Sequence, residues 1–201
     1  MITIINFSQR VNGVNDTICD ELQKGFSARR VEVRYIKPRD LIIKSCNNCR
    51  TCMQSPGDEL GKCHIDDDMN ELIRSIITSR SIIVSAPINC YDLPSIMRVI
   101  LERMSIFCYW PDKRYSPVIR KKQSKIKGVL ITTSAMPGIM VPFATQSRKT
   151  FKLFAKPLNI TRIDYHHIGF KGRKADMIFK ENDRKVVMKI VNQLAPRILP
   201  A

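Results

Sequence analysis

The 201-residue chain is long enough to bury one substantial core, and its 44% hydrophobic content excludes wholesale disorder although 26% of the residues are charged. No apolar run approaches the ~20 residues of a membrane span, and the start MITIINFSQR lacks the features of a signal peptide, so we expect a single cytoplasmic domain over residues 1–201. The net charge of +16 predicts attraction to anions, but it does not choose among nucleic acids, phosphorylated cofactors and acidic proteins.

Five short apolar segments predict β-strands, because they are rich in β-branched residues and are bounded by polar turns. The third of them, SIIVSAP, is a nearly continuous apolar run of the kind that suits an interior strand of a parallel sheet. In chain order, the predicted strands are 2–7, 31–36, 81–87, 127–133 and 160–168.

Apolar residues recur at helical spacing between these strands. Asn15, Asp16 and Thr17 are candidate caps of the first helix, and a helix is expected over 142–158. The second helix follows three aspartates, 66–68, which suit the positive end of a helix dipole. The other apolar stripes are Ile18, Leu22 and Phe26; Met69, Leu72, Ile73, Ile76 and Ile77; Leu93, Ile96, Met97, Ile100, Leu101 and Met104; and Val186, Val187, Ile190, Val191 and Leu194.

This alternation of strands and helices predicts an α/β fold with helices on both faces of a parallel sheet. Five strands suit the flavodoxin-like, doubly wound order 2-1-3-4-5. In such sheets, ligands bind at the carboxyl ends of the strands, beside the point where the strand order reverses. The turns after strands one, three and four are therefore the places to look for a site.

Each of these three turns has a functional and an ordinary interpretation. Residues 8–17 offer hydroxyl, guanidinium and amide donors at a helix N-terminus, which favours phosphate binding but also fits a plain capped turn. Residues 86–94, APINCYDLP, would present backbone donors and an aromatic face to a flat ligand, or form a plain turn with one exposed tyrosine. Residues 132–140, TTSAMPGIM, combine hydroxyl groups with Gly138, which permits close approach of a ligand to the backbone.

The joint order of these segments resembles the NADPH-dependent FMN reductase and iron–sulfur flavoprotein group of the flavodoxin-like superfamily, over most of the chain. The first turn is similar to the group's G-S-P-R-x-x-G-N-T loop, although Phe7 and Gln9 replace a glycine and the proline. CNNCRTC, with the later Cys63 and DDDM, is similar to the C-x-G-C-x-x-C and C-x-x-D-D-M segments. SAPINCYDLPSIMRVILERM is similar to the S-P-V-Y segment and its following helix.

The resemblance implies FMN held at the three loops, NAD(P)H as electron donor, and a flavin, quinone or similar acceptor. It also implies a homodimer or homotetramer. Hydride transfer from nicotinamide to flavin needs no acid–base side chain, so no catalytic residue is named, and Tyr91 is the first candidate to stack near the flavin. The predicted cofactor-binding residues are Ser8, Arg10, Asn12, Gly13, Asn15, Thr17, Pro87, Ile88, Asn89, Cys90, Tyr91, Thr133, Ser134, Ala135, Met136 and Gly138.

The cysteine-bearing segment, 45–66, is expected to be an insertion or loop that carries metal or redox chemistry. Its compact triple spacing is more typical of iron–sulfur ligation than of structural zinc, and the predicted ligands of a possible [4Fe-4S] cluster are Cys46, Cys49, Cys52 and Cys63. Ten residues separate Cys52 from Cys63, a longer gap than in the iron–sulfur flavoproteins, so zinc and free or redox-active thiols stay open. Cys19 lies on the apolar stripe of the first helix and is expected in the core.

A basic segment, 113–127, precedes the fourth strand and is expected to be an exposed connection. Its cations would steer an anionic cofactor to an enzyme, or dock an acidic protein onto a flavin-containing electron carrier, which is the alternative function. Nucleic-acid binding is disfavoured, because no helix-turn-helix, zinc-finger or RNP signature is present. The cations are Lys113, Arg114, Arg120, Lys121, Lys122, Lys125 and Lys127.

Overall fold

A computed structural model describes residues 1–120, 126–172 and 179–195. Its centre is a five-stranded sheet in which each neighbouring pair of strands is parallel. The strands of this sheet are β1 (Ile2–Asn6), β2 (Val33–Ile36), β3 (Ser81–Pro87), β6 (Ile126–Thr133) and β7 (Ile160–Ile168). Their order is β2-β1-β3-β6-β7, which confirms the predicted flavodoxin-like order.

Helices cover both faces of the sheet and divide the core into two clusters. The helices are α1 (Val14–Ser27), α2 (Met69–Ile77), α3 (Ser95–Arg103), α4 (Val141–Ala144), α5 (Ser147–Ala155) and α6 (Glu181–Leu194). Short 3-10 turns lie at Pro38–Asp40, Thr51–Met53 and Met104–Phe107. Apolar residues of α1 and α6 pack in one cluster, and those of α2, α3 and α5 pack in the other. Cys19 is fully buried in the first cluster, as its position on the apolar stripe predicts.

Two predicted helix boundaries are wrong. The helix expected over 142–158 is divided into α4 and α5, because Thr145 is extended and its hydroxyl bonds to the Val141 carbonyl and to Ser147. The first helix begins earlier than its candidate caps indicate, since Gly13 is the N-cap. Asn15, Asp16 and Thr17 therefore lie inside the first turn of α1.

A small antiparallel ribbon, absent from the sequence-based prediction, lies outside the main sheet. It pairs β4 (Cys108–Tyr109) with β5 (Val118–Ile119). Strands of two residues carry no usable periodicity, which is why the pattern missed them.

The expectation that 113–127 is an exposed connection is wrong at its centre. Lys113, Arg114 and Lys127 are exposed, but Arg120 is only 5% exposed. The predicted cations Lys121, Lys122 and Lys125 lie outside the described residues. Within the described ranges, no helix has the length and apolarity that a membrane span requires.

Candidate active site

A cleft of about 420 Å³ opens at the carboxyl ends of β1, β3 and β6, where the strand order reverses. The loops after these strands and the segment after β7 form its walls. The residues that line it are Ser8, Gln9, Arg10, Gly13, Val14, Asn15, Pro87, Ile88, Asn89, Thr133, Ser134, Ala135, Lys171 and Gly172. Ten of these were predicted from the sequence, whereas Gln9, Val14, Lys171 and Gly172 were not.

The first loop is folded around a buried ion pair that joins Arg39 to Asp16 at 2.9 Å. Arg39 also donates through Nη1 to the carbonyl oxygens of Ser8 and Arg10, each at 2.9 Å. The Asn12 N–H donates to Asp16 at 2.7 Å, with Asn12 in the left-handed region at φ 55°. Because Asp16 neutralises Arg39, the free cation that this loop presents to the cleft is Arg10.

Asn15 connects three elements rather than projecting into the cleft. Its Nδ2 donates to Thr133 Oγ1 at 3.0 Å, and its Oδ1 accepts the Ser85 hydroxyl at 2.9 Å. The side chain of Asn15 is therefore committed to joining α1, β3 and β6. Its backbone N–H belongs to the first turn of α1, where N–H groups have no partner within the helix. Thr17 donates to the Gly13 carbonyl and does not line the cleft.

The second loop turns sharply at Cys90 and Tyr91, which both have positive φ values, 48° and 65°. Asn89 and Asp92 close this turn with two backbone hydrogen bonds of 2.8 and 2.9 Å. Pro87, Ile88 and Asn89 line the cleft, but Cys90 and Tyr91 lie beyond its lining. Tyr91 is 67% exposed. The structure therefore does not bring this ring into the cleft, in contrast to its predicted stacking role.

The third loop reaches the cleft through Thr133, Ser134 and Ala135, whereas Met136 and Gly138 lie outside the lining. The Lys171 N–H donates to the Ser134 carbonyl at 2.8 Å, which connects this loop to the segment after β7. His167 contacts the Met136 carbonyl through Nε2 at 3.1 Å. Burial holds the pKa of His167 below its usual value. The imidazole is therefore uncharged at neutral pH, and it supports the third loop through its contact with Met136.

Lys171 and Gly172 were missed because only the turns after strands one, three and four were considered. The available signal was the end of the fifth strand, since β7 pairs with β6 and ends at the same edge of the sheet. Lys171 is buried and forms an ion pair of 2.6 Å with Asp183 in the first turn of α6. This pair links the wall of the cleft to the last helix.

The donor set of the cleft fits a phosphorylated ligand. Arg10 lines it together with hydroxyl groups, the N-terminus of α1 and Lys171, whose charge is paired with Asp183, and none of its described lining residues is acidic. Helix N-termini and cations both stabilise phosphate groups. The apolar side chains of Val14, Pro87 and Ile88 add surface on which a planar ring can pack.

The four clustered cysteines face a second cavity, which shares no lining residue with the cleft. Cys46, Cys49, Cys52 and Cys63 all line it, so the structure brings together the predicted set. Among the described residues, however, no group of three or more His, Cys, Asp or Glu side chains is arranged to hold a metal ion. As placed, the four sulfurs do not fit a [4Fe-4S] cluster, and the metal assignment stays a prediction from the sequence.

Solved structures similar to this chain share its fold. One is an FMN-dependent NADH-azoreductase from Bacillus anthracis in complex with FMN, with a TM-score of 0.68, 13% identity and coverage of 96% of this chain and 98% of that one. Another is an NAD(P)H:quinone oxidoreductase from Methanothermobacter marburgensis, with a TM-score of 0.67, 11% identity and coverage of 99% of both chains. A third is a flavone reductase, with a TM-score of 0.67 and 15% identity; the match covers 96% of this chain but only 61% of that protein.

A search of curated proteins found no significant match. The family model described as NADPH-dependent FMN reductase matches residues 1–141, which is more than half of the chain. This match contains all three of these cleft loops and the cysteine segment. The chain therefore belongs to the NADPH-dependent FMN reductase family of oxidoreductases.

Proposed function

We propose that the cleft binds FMN, with the phosphate at the first loop and the N-terminus of α1. When bound, FMN supplies electron transfer from NAD(P)H to a quinone, a flavin or a similar small acceptor. The observation that carries this proposal is the position and composition of the cleft. It lies at the switch point of a doubly wound sheet, and its described lining contains the cation Arg10, the N-terminus of α1 and no carboxylate.

The protein's own residues bind and orient the ligand. Arg10 and the first N–H groups of α1 hold the phosphate, while Asn15 joins α1 to the ends of β3 and β6 through its bonds to Ser85 and Thr133. Pro87 and Ile88 supply an apolar surface for the flavin ring. Hydride transfer between nicotinamide and flavin requires no side chain to give or take a proton.

A titration of flavin-free protein with FMN, followed by flavin fluorescence, tests the binding step. Arg10→Gln removes a charge-assisted hydrogen bond to phosphate and should weaken binding roughly 10- to 100-fold. Lys24→Gln is the matched control, because Lys24 is an exposed cation in the last turn of α1, far from the N-terminus of that helix. Wild-type protein that fails to take up FMN would refute the proposal.

Steady-state kinetics test the electron donor and acceptor. We expect protein loaded with FMN to oxidise NADPH or NADH with a quinone as acceptor. This reaction should require neither a partner protein nor added metal. The electron-carrier alternative predicts the opposite: slow reduction by nicotinamide and fast electron exchange with a protein partner.

We propose also that a second copy of this chain covers the mouth of the cleft. Among the described residues, five of the ten exposed large apolar side chains lie in the segments that follow β3, β6 and β7, at the same edge of the sheet as the cleft. They are Tyr91, Ile139, Met140, Phe143 of α4 and Phe170. Exposed apolar side chains are typical of protein interfaces when they group together. Sedimentation should show a dimer or tetramer that Phe143→Ser weakens, and a monomeric wild-type protein would contradict this assembly.

A further inference from the structure

The cysteine loop is held in place by a buried arginine, Arg120, which directly follows β5. Arg120 donates through Nε to the Ile106 carbonyl at 3.2 Å, through Nη1 to Gly57 at 3.0 Å and through Nη2 to Cys52 at 3.1 Å. These bonds fix the backbone at Cys52 against the body of the protein. The loop is therefore an ordered surface feature that can hold thiols in a set geometry.

Within this loop, Cys49 and Cys52 form a C-x-x-C pair whose two members differ in environment. Cys49 is exposed, whereas Cys52 is partly buried and packs against the larger core cluster. The 3-10 turn Thr51–Met53 begins between them. In a C-x-x-C pair, this difference suits an exposed thiol that attacks and a shielded thiol that resolves the product.

Two hydrogen-bond donors converge on the sulfur of Cys49. The Thr51 hydroxyl donates to Sγ at 3.3 Å, and His64 Nδ1 lies 3.3 Å from the same atom. The Cys49 N–H donates to Asn47 Oδ1, which leaves Asn47 Nδ2 to donate to His64 Nε2. Because Nε2 then accepts a hydrogen bond, the neutral ring carries its proton on Nδ1 and donates it towards Cys49.

We propose that Cys49 and Cys52 form a thiol–disulfide exchange site for low-molecular-weight disulfides. The Cys49 thiolate attacks one sulfur of the external disulfide, the S–S bond breaks, and the first thiol leaves with one proton. Cys52 then loses its proton and attacks the Cys49 sulfur, and the second thiol leaves with that proton. In total, the protein loses two electrons and two protons, and the external disulfide is reduced to two thiols.

This site is separate from the FMN cleft, since the two cavities share no lining residue. The exchange activity therefore does not depend on the proposed function. If wild-type protein takes up FMN but shows no thiol–disulfide exchange, this inference alone is refuted. If it shows exchange but takes up no FMN, the proposed function alone is refuted.

The aromatic disulfide dithiobis(nitrobenzoate), which releases a coloured thiol on exchange, tests the inference. All proteins in the test carry Cys90→Ser, because Cys90 is the other exposed cysteine. In this background we expect both halves of each reagent molecule to be released as Cys49 and Cys52 join. Cys52→Ser should release only one half and keep the other on Cys49, and Cys49→Ser should slow the reaction at least about tenfold.

Cys46→Ser and Cys63→Ser are the matched controls, because they remove thiols of the same cavity. Both should keep the fast release and the Cys49–Cys52 disulfide in peptide mass maps. A disulfide that joins other cysteines, or fast release from Cys49→Ser, would overturn the inference. Iron or zinc held by these cysteines in protein purified without oxygen would overturn it as well, and would instead establish the metal centre.

Discussion

The buried ion pair between Asp67 and Arg103 is predicted to contribute strongly to the free energy of unfolding. The pair is bidentate, with distances of 2.6 and 2.9 Å, and its side chains are 0% and 1% exposed. Asp67 also accepts the N–H groups of Lys44 at 2.8 Å and Met69 at 3.1 Å. The carboxylate therefore joins the start of the cysteine loop, the start of α2 and the end of α3.

Asp67→Asn keeps the shape of the side chain but leaves the buried guanidinium without its counter-charge. Breaking a buried pair in this way costs about 3–5 kcal/mol. For a chain of this length, the same loss lowers the thermal midpoint by roughly 6–20 °C. Asp66→Asn is the matched control, because Asp66 is the exposed neighbour in the same acidic run. Urea and thermal unfolding of the three proteins measure the difference.

The pH dependence of this effect has a defined sign. Burial alone would raise the pKa of Asp67, but the hydrogen bonds from Arg103, Lys44 and Met69 outweigh it and hold that pKa below its ordinary value. The pair therefore contributes its full stability above the unfolded-state pKa of about 3.9, and this contribution is lost as the pH falls through the lower folded-state pKa. The gap between wild type and Asp67→Asn should be constant near neutral pH and should close in acid. An effect below about 1 kcal/mol at pH 7 would refute the reasoning.

Three further outcomes are expected. Asn15→Leu should destabilise the protein by about 1–3 kcal/mol and weaken FMN binding, because the buried hydroxyl groups of Ser85 and Thr133 lose their partner; urea unfolding and FMN titration measure both effects. Cys19 should resist iodoacetamide at pH 8 in folded protein, since burial raises its pKa to about 12, and labelling at a rate like that of an exposed thiol would contradict this. Tyr91→Ala should change the FMN dissociation constant by less than about threefold, because an exposed ring beyond the cleft contributes little to binding; a tenfold loss would restore the stacking role.

The fold was predictable because its strongest determinants are local. The apolar run of β3 and the stripes of α2 and α6 identify their elements without any knowledge of their partners. The alternation of these elements then leaves few arrangements of the sheet. The pattern could not predict where one expected helix is interrupted. Thr145, whose backbone is extended, ends α4 and divides that helix into two.

The candidate site was predictable in place but not in detail. The loops after β1, β3 and β6 form the cleft because parallel strands end together at the switch point. Whether a side chain enters the cleft depends on contacts between residues far apart in the sequence. Asn15 is hydrogen-bonded to Ser85 and Thr133, and Tyr91 is exposed and does not line the cleft.

The same limit applies to the net charge of +16, which counts every cation equally. Four of the basic side chains are committed inside the protein: Arg39 and Arg103 to aspartates, Lys171 to Asp183, and Arg120 to three carbonyl oxygens. These residues organise the cleft and the cysteine loop. The cation of the first loop without such a commitment, Arg10, lines the cleft, so the proposed phosphate binding depends on this side chain rather than on the overall charge.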